Sequence, residues 1–373
     1  MLKGLVIGGQ DIRWPVHGSS RLALVVLHAL SLNHHKILYL IPGSSREYEV
    51  TRVTMKSRFG ESRVVMMKTG MLKNPLSLLH VTRMLGDDHD YILCLDRRSI
   101  PLCKVLSTRL DAPLVTYMDS PKYLHLERLT KIRERLLRPV ALAWYVIIGL
   151  LSDVTITVSK YIEDYLGKWG VRSVAIEPSY ALLHERDDLV KSNDDYKIDE
   201  LNYNAILCSC PLDLTLLISL KNPEVPIVVT GLQAYYIGEY LRIKGLTSKF
   251  KSLHLLHNIS DRALEKLHDK VIISLISRPR LAGISITLIQ ELYFGKPIIT
   301  DTNTASRIRG LMESKTIIVN DRYVKWPSIV RELIKRADLN ELGVRARQFF
   351  DNKLSPRRFA TYFEHALHNI LSK

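Results

Sequence analysis

A chain of 373 residues, 46% hydrophobic and 24% charged, exceeds what one ordinary core accommodates and is too apolar for disorder; it fits two domains of roughly 180 residues each. Its 53 Lys and Arg against 38 Asp and Glu leave a net charge of +15, which favours nucleic acid or an anionic membrane surface as partner and says nothing of fold. No apolar run reaches the ~18–20 residues of a membrane-spanning helix. Four cysteines (Cys94, Cys103, Cys208, Cys210) give no disulfide framework and predict buried thiols in a reducing compartment.

Residues 3–9 read as a first β-strand and not as a signal peptide, which predicts a cytoplasmic protein. A loop from Gly8 to Ser20 holds Trp14, His17 and Gly18; a helix over 21–32 and a strand over 36–41 complete a βαβ unit. The loop has no Gly-x-Gly-x-x-Gly, so a dinucleotide cofactor has no support. Further strands are predicted at 63–67, 91–95, 114–117 and 154–158, with helices at 75–85 and 101–110 between them. Ser159 reads as the N-cap of a helix bearing Tyr161, Ile162, Tyr165 and Leu166.

The charge-dense interval 184–204 separates two halves and is the expected linker. Beyond it the βα alternation resumes, with strands at 205–210, 227–230, 253–256, 271–276, 298–300 and 316–319. An amphipathic helix from Pro356 to Leu371 ends the pattern. The expected domains are therefore 1–183 and 205–355, with 356–373 as a terminal helix.

The most informative stretch is Arg278-Pro-Arg-Leu-Ala-Gly-Ile-Ser-Ile-Thr-Leu-Ile-Gln-Glu-Leu-Tyr-Phe-Gly-Lys-Pro297. A turn around Gly283 and Ser285 leads into a helix that Gly295 and Pro297 terminate, and a strand follows at once. First-turn amides and the helix dipole suit an anion there, with Gly283, Ile284 and Ser285 as the backbone cradle. This layout resembles the donor-binding segment of retaining GT-B glycosyltransferases, family 4, whose pattern is Pro-Ser-x-x-Glu-Gly-Phe-Gly, a helix with a second Glu, then Gly-x-Pro-Val-Ile. Residues 153–170 resemble the same family, with weaker echoes at 3–40 and 340–371. Aligned on Gly283 and Gly295, the family's two glutamates fall on Ala282 and Gln290, and Glu291 stands one residue later, about 100° around the helix.

The resemblance implies an α/β chain of two Rossmann-like doubly wound domains facing across a cleft, with the terminal helix crossing back to the first domain. It implies a hexosyltransferase that moves a sugar, with retention, from a nucleotide-diphosphate sugar to a lipid-linked or glycan acceptor, without cofactor or metal. The family's Arg and Lys clamp after the first strand of the second domain is replaced here by Cys208-Ser-Cys-Pro-Leu-Asp213, which has neither cation. Arg278 and Arg280 supply that charge or else belong to a solvated loop. Gln290 is placed for a ribose hydroxyl; Glu291 either replaces the missing glutamate as a catalytic residue or is a solvated helix residue. Gly231 matches a strand-then-glycine turn near the nucleotide, and Gly18, beside His17, matches the glycine-rich loop of the first domain. Where the family has His-Asp, this chain has Met118-Asp119, leaving Asp119 for acceptor binding or base work, or for a turn or N-cap.

Residues 122–138 carry Lys122, Arg128, Lys131, Arg133, Arg135 and Arg138 against Glu127 and Glu134, six minus two or +4, and thirteen uncharged residues follow to Leu151. The segment 122–151 is either an anionic-membrane contact, making the protein peripheral on the inner face of the cell membrane, or a core helix with a solvated basic face. Two other readings stand beside the transferase: a catalytically inactive GT-B relative that binds or activates a partner, and a basic protein of this fold acting on nucleic acid, for which no reading motif is present.

Overall fold

The computed structural model describes residues 2–8, 18–43, 49–70, 83, 85, 88–118, 132–182, 195–201, 204–257, 259–278, 284–336 and 338–371. The chain divides into two units. The first takes Met1–Ala181, Arg280–Ile284 and Leu354–Lys373, and the second Leu182–Pro279 and Ser285–Lys353.

The first unit is built on an eight-stranded sheet: β1 Lys3–Ile7, β2 Lys36–Gly43, β3 Glu49–Ser57, β4 Gly60–Gly70, β5 Tyr91–Cys94, β6 Leu114–Met118, β7 Val154–Thr157 and β8 Ser173–Ala175. Their order is β3-β4-β2-β1-β5-β6-β7-β8. All pairs are parallel except β3–β4, an antiparallel hairpin whose outer strand the sequence reading lacked. β5, β6 and β7 are buried throughout, as parallel strands covered on both faces must be. The predicted helix 75–85 falls almost wholly outside the described residues.

The terminal helix Pro356–Leu371 belongs to this unit, packed on the helix Gly18–Leu32. His35 ties it to the sheet: Nε2 lies 2.8 Å from Glu364 Oε1 and Nδ1 2.9 Å from the Tyr91 hydroxyl. Phe363 meets the Tyr91 ring edge-on at 5.6 Å. The cysteine expectation needs a correction here. Cys94, closing β5, is bonded to Cys103 on the following helix Ile100–Leu110 as a disulfide, so only Cys208 and Cys210 are free thiols.

The second unit has six parallel strands: β9 Ala205–Ser209, β10 Ile227–Thr230, β11 Leu253–Leu256, β12 Val271–Ile276, β13 Ile298–Thr300 and β14 Ile318–Val319, in the order β11-β10-β9-β12-β13-β14. From β9 the chain builds outward through β10 and β11 and then returns to β9's other side with β12. The switch point of this sheet therefore lies between β9 and β12, where open α/β sheets bind ligands beyond the carboxyl ends of the strands. The helix Ile286–Phe294 ends at Gly295, whose φ of 66° is the left-handed cap conformation.

Candidate anion site at the carboxyl edge of the second sheet

β9 ends at Ser209, and β12 runs on through Ser277 to Arg278, so both chain ends emerge side by side at the switch point. Ser277 N–H donates to Ser209 O at 3.1 Å and fixes this pairing. The Arg278 side chain turns back across it: its Nη2 donates to Ser209 Oγ at 2.6 Å and to Gln233 Oε1 at 3.2 Å. Gln233 lies in the first turn of the helix Gly231–Ile243, directly after β10, and its own amide donates to Cys210 O. The Arg278 backbone N–H donates to Thr304 Oγ1 at 2.9 Å, and Thr304 is held in turn by the buried Asp301 carboxylate at 2.8 Å.

The guanidinium thus stands against the 208–213 turn, which carries no cation in its own sequence. Its partners are all neutral: among the described residues no carboxylate pairs with it. Burial pulls its pKa down, the Cys210 and Cys208 thiols oppose the shift, and an arginine stays protonated in any case. A half-buried cation with donors to spare and no counter-ion among the described residues suits an anion.

Two helix starts flank it. Gly231 has φ 69°, open space where a Cβ would sit, and follows Thr230, whose side chain makes no capping bond. The first-turn amides of a thirteen-residue helix thus receive no capping bond from the Thr230 side chain. At the helix Ile286–Phe294 the arrangement differs, because Ser285 Oγ accepts the Leu288 N–H at 3.3 Å and the side-chain cap is filled. Ile284 and Ser285 are both buried. Tyr323 adds a hydroxyl near the same edge, accepting from Ser277 Oγ at 3.3 Å.

The structure brings Arg278 and the start of the Gly231 helix together through Gln233, and keeps the half-buried Gln290 on its own helix with its amide donating to Glu291 Oε1 at 3.2 Å. The expected role of Glu291 is corrected. Its side chain is 0% exposed, with Oε1 2.9 Å from His268 Nε2 and Oε2 accepting from Ser274 Oγ at 2.5 Å. Both oxygens are engaged inside the core, so it is neither a solvated helix residue nor a group that reaches a substrate. Arg280, Gly283, Asp119 and His17 lie outside the described residues, as do residues 122–131 and most of the linker interval. Gly18 is the first residue of the helix Gly18–Leu32, and Met118 is a buried end of β6. Ser209 and Gln233 were not singled out by sequence. The available signal was weak: a polar residue closing an apolar strand, and a glutamine two positions after a strand-ending glycine.

The strand orders of the two units define an α/β chain of two Rossmann-like units with the GT-B fold of glycosyltransferases. The particular structures it resembles include Anabaena HepE (Alr3699) in complex with UDP, at 12% identity over 99% of this chain and 100% of that one, TM-score 0.65. Sucrose-phosphate synthase from Thermosynechococcus elongatus matches over 100% of both chains at 13% identity, TM-score 0.65. A glycosyltransferase from Rickettsia africae ESF-5 matches over 99% and 98% at 14% identity, TM-score 0.63. No family model matches the chain, and no curated protein sequence matches it. At such low identity the likeness establishes the fold.

Proposed function

We propose that the protein is a glycosyltransferase that takes a hexose from a nucleoside-diphosphate sugar, and that Arg278 holds the donor's diphosphate. The observation that carries this reading is the Arg278 guanidinium, paired with no carboxylate among the described residues, at the switch point of a GT-B second sheet. In the reaction the bond between the sugar's anomeric carbon and the diphosphate oxygen breaks and the nucleoside diphosphate leaves with the electron pair. The acceptor hydroxyl oxygen bonds to the anomeric carbon, and its proton passes to a base, for which Asp119 is the candidate. Charge builds on the leaving oxygen, so a fixed guanidinium and the first-turn amides after Gly231 stabilise the transition state more than the ground state. The Anabaena structure with UDP-glucose makes UDP and UDP-glucose the first probes. The acceptor is proposed to be a lipid-linked or glycan hydroxyl and the outcome retention, both by family resemblance.

A second reading is a binding protein without turnover. It is favoured by Glu291 being locked in the core and by apolar Met118 standing where the resembled family has a histidine. Titration of UDP and incubation with UDP-glucose separate the two. Binding with release of UDP supports the enzyme, and binding without release from any nucleotide sugar supports the silent relative. No binding of any nucleoside diphosphate sinks both.

A further inference from the structure

The helix Ile132–Leu151 in the first unit has a face that the sugar-transfer reading does not use. Val140 is 67% exposed, Trp144 43%, Ile147 45%, Leu150 59% and Leu151 37%. Val140, Trp144, Ile147 and Leu151 follow at spacings of four, three and four residues, and Leu150 widens the same stripe, so one face of the helix presents large apolar side chains to water over three turns. Pro139 and Ala143 complete that face, and no charged residue occurs from 139 to 151. The opposite face is anchored. Tyr145 and Ile148 are buried, Arg97 donates to the Tyr145 hydroxyl with its guanidinium 5.3 Å over the ring, and Gly149 sits so close to Val171 that a Cβ there would approach it to 2.5 Å. The exposed stripe is therefore the outer side of a helix already packed on the other. A contiguous exposed apolar face of this kind marks an interaction surface.

The charge pattern selects the occupant. The helix opens with Arg133, Arg135 and Arg138 against Glu134, and residues 122–138 together carry +4. Self-association would set this segment against its own copy in a chain of net +15, which repulsion disfavours. A basic stretch continuous with an all-apolar stripe that includes a tryptophan matches an anionic lipid surface, with headgroup phosphates for the cations and acyl chains for the stripe. No helix among the described residues is long and apolar enough to cross a membrane, so the contact is interfacial. We propose that Val140, Trp144, Ile147, Leu150 and Leu151 form a docking face for an anionic bilayer. This does not rest on the donor reading, because lipid binding is measured without any nucleotide.

The test is co-sedimentation of the full chain with vesicles of phosphatidylglycerol and, separately, of phosphatidylcholine. The wild type is expected to partition about tenfold or more in favour of phosphatidylglycerol. The doubly substituted Ile147→Asp/Leu150→Asp chain is expected to lose about tenfold or more of that binding while keeping its thermal midpoint, since both positions are exposed. Should that variant fold poorly, brominated phosphatidylglycerol provides a second reading: it quenches wild-type tryptophan fluorescence and quenches Trp144→Phe markedly less. Undiminished binding of a folded double variant, equal recovery with both lipids, or equal quenching of Trp144→Phe would each overturn the proposal. So would a wild-type dimer that the double substitution dissociates, which would assign the face to a second copy.

Discussion

Arg278→Ala separates the two jobs that the structure gives this side chain. Within the folded chain the guanidinium makes two bonds to neutral acceptors, Ser209 Oγ at 2.6 Å and Gln233 Oε1 at 3.2 Å. At about 1 kcal/mol each their loss costs about 1–2 kcal/mol of stability. Toward a diphosphate the same group supplies a charge-assisted bond, for which about 1.5–3 kcal/mol is typical, or about a 10- to 100-fold rise in the dissociation constant. The two effects are read independently. Urea denaturation of the ligand-free protein reports the first, and isothermal titration with UDP reports the second. In a thermal-shift format, UDP at ~100 times its dissociation constant stabilises the wild type by roughly 2.7 kcal/mol, and a tenfold weaker variant at the same concentration by only about 1.4 kcal/mol. Arg278→Lys retains the charge without the planar fork and falls between the two. An unchanged UDP affinity in a folded Arg278→Ala protein would refute the assignment of the diphosphate to this guanidinium.

Three further substitutions probe the surrounding structure. Glu291→Ala removes one partner of a fully buried pair with His268 and is expected to cost about 3–5 kcal/mol in chemical denaturation; a near-neutral effect would contradict its structural role. Gly231→Ala meets no atom within 4 Å, so its cost is the backbone's alone. About 1–2 kcal/mol is expected for φ 69° in an L-residue, and an unchanged denaturation midpoint would show that the turn relaxes. His28 is buried between Ser62 Oγ at 2.6 Å and Ser57 Oγ at 2.7 Å, and burial lowers its pKa from 6.5 to about 4. The unfolded chain binds this proton first, so the contribution is intact above pH 6.5 and is lost as the pH falls toward 4. The slope approaches about 1.4 kcal/mol per pH unit, and His28→Gln is expected to flatten stability against pH across that window. An identical profile in that variant would assign the acid sensitivity elsewhere.

How much of this was legible in the sequence depended on how local the signal was. β1, β5, β6, β7 and the strands of the second sheet announce themselves as short apolar runs because parallel strands are covered on both faces. β3 does not. In Glu49-Val50-Thr51-Arg52-Val53 the two valines are three residues apart, so the period-two burial of this edge strand is not written in its residue types, and its turn at Arg58-Phe59 lacks the usual hairpin residues. For Glu291 the helical register was available: Leu288 and Leu292, three residues before and one after, are both buried, and they place it on the inward face. What could not be read was its partner, His268, on another helix 23 residues away. The anion site shows the same limit at longer range. Arg278 and Ser209 are 69 residues apart and meet only because β12 returns to lie beside β9. The 208–213 turn has no cation of its own, and the sequence left Arg278 and Arg280 either to supply that charge or to lie in a solvated loop; in the fold the Arg278 guanidinium stands against the turn through its bond to Ser209. The Cys94–Cys103 bridge likewise depends on how the helix Ile100–Leu110 settles on β5, which spacing alone does not specify.

A crystal structure of the protein with UDP is the most direct test of the central claim. The account predicts diphosphate oxygens within hydrogen-bond reach of the Arg278 guanidinium, beside the amides that follow Gly231. A nucleotide bound with its diphosphate elsewhere, and Arg278 still bonded only to Ser209 and Gln233, would contradict it.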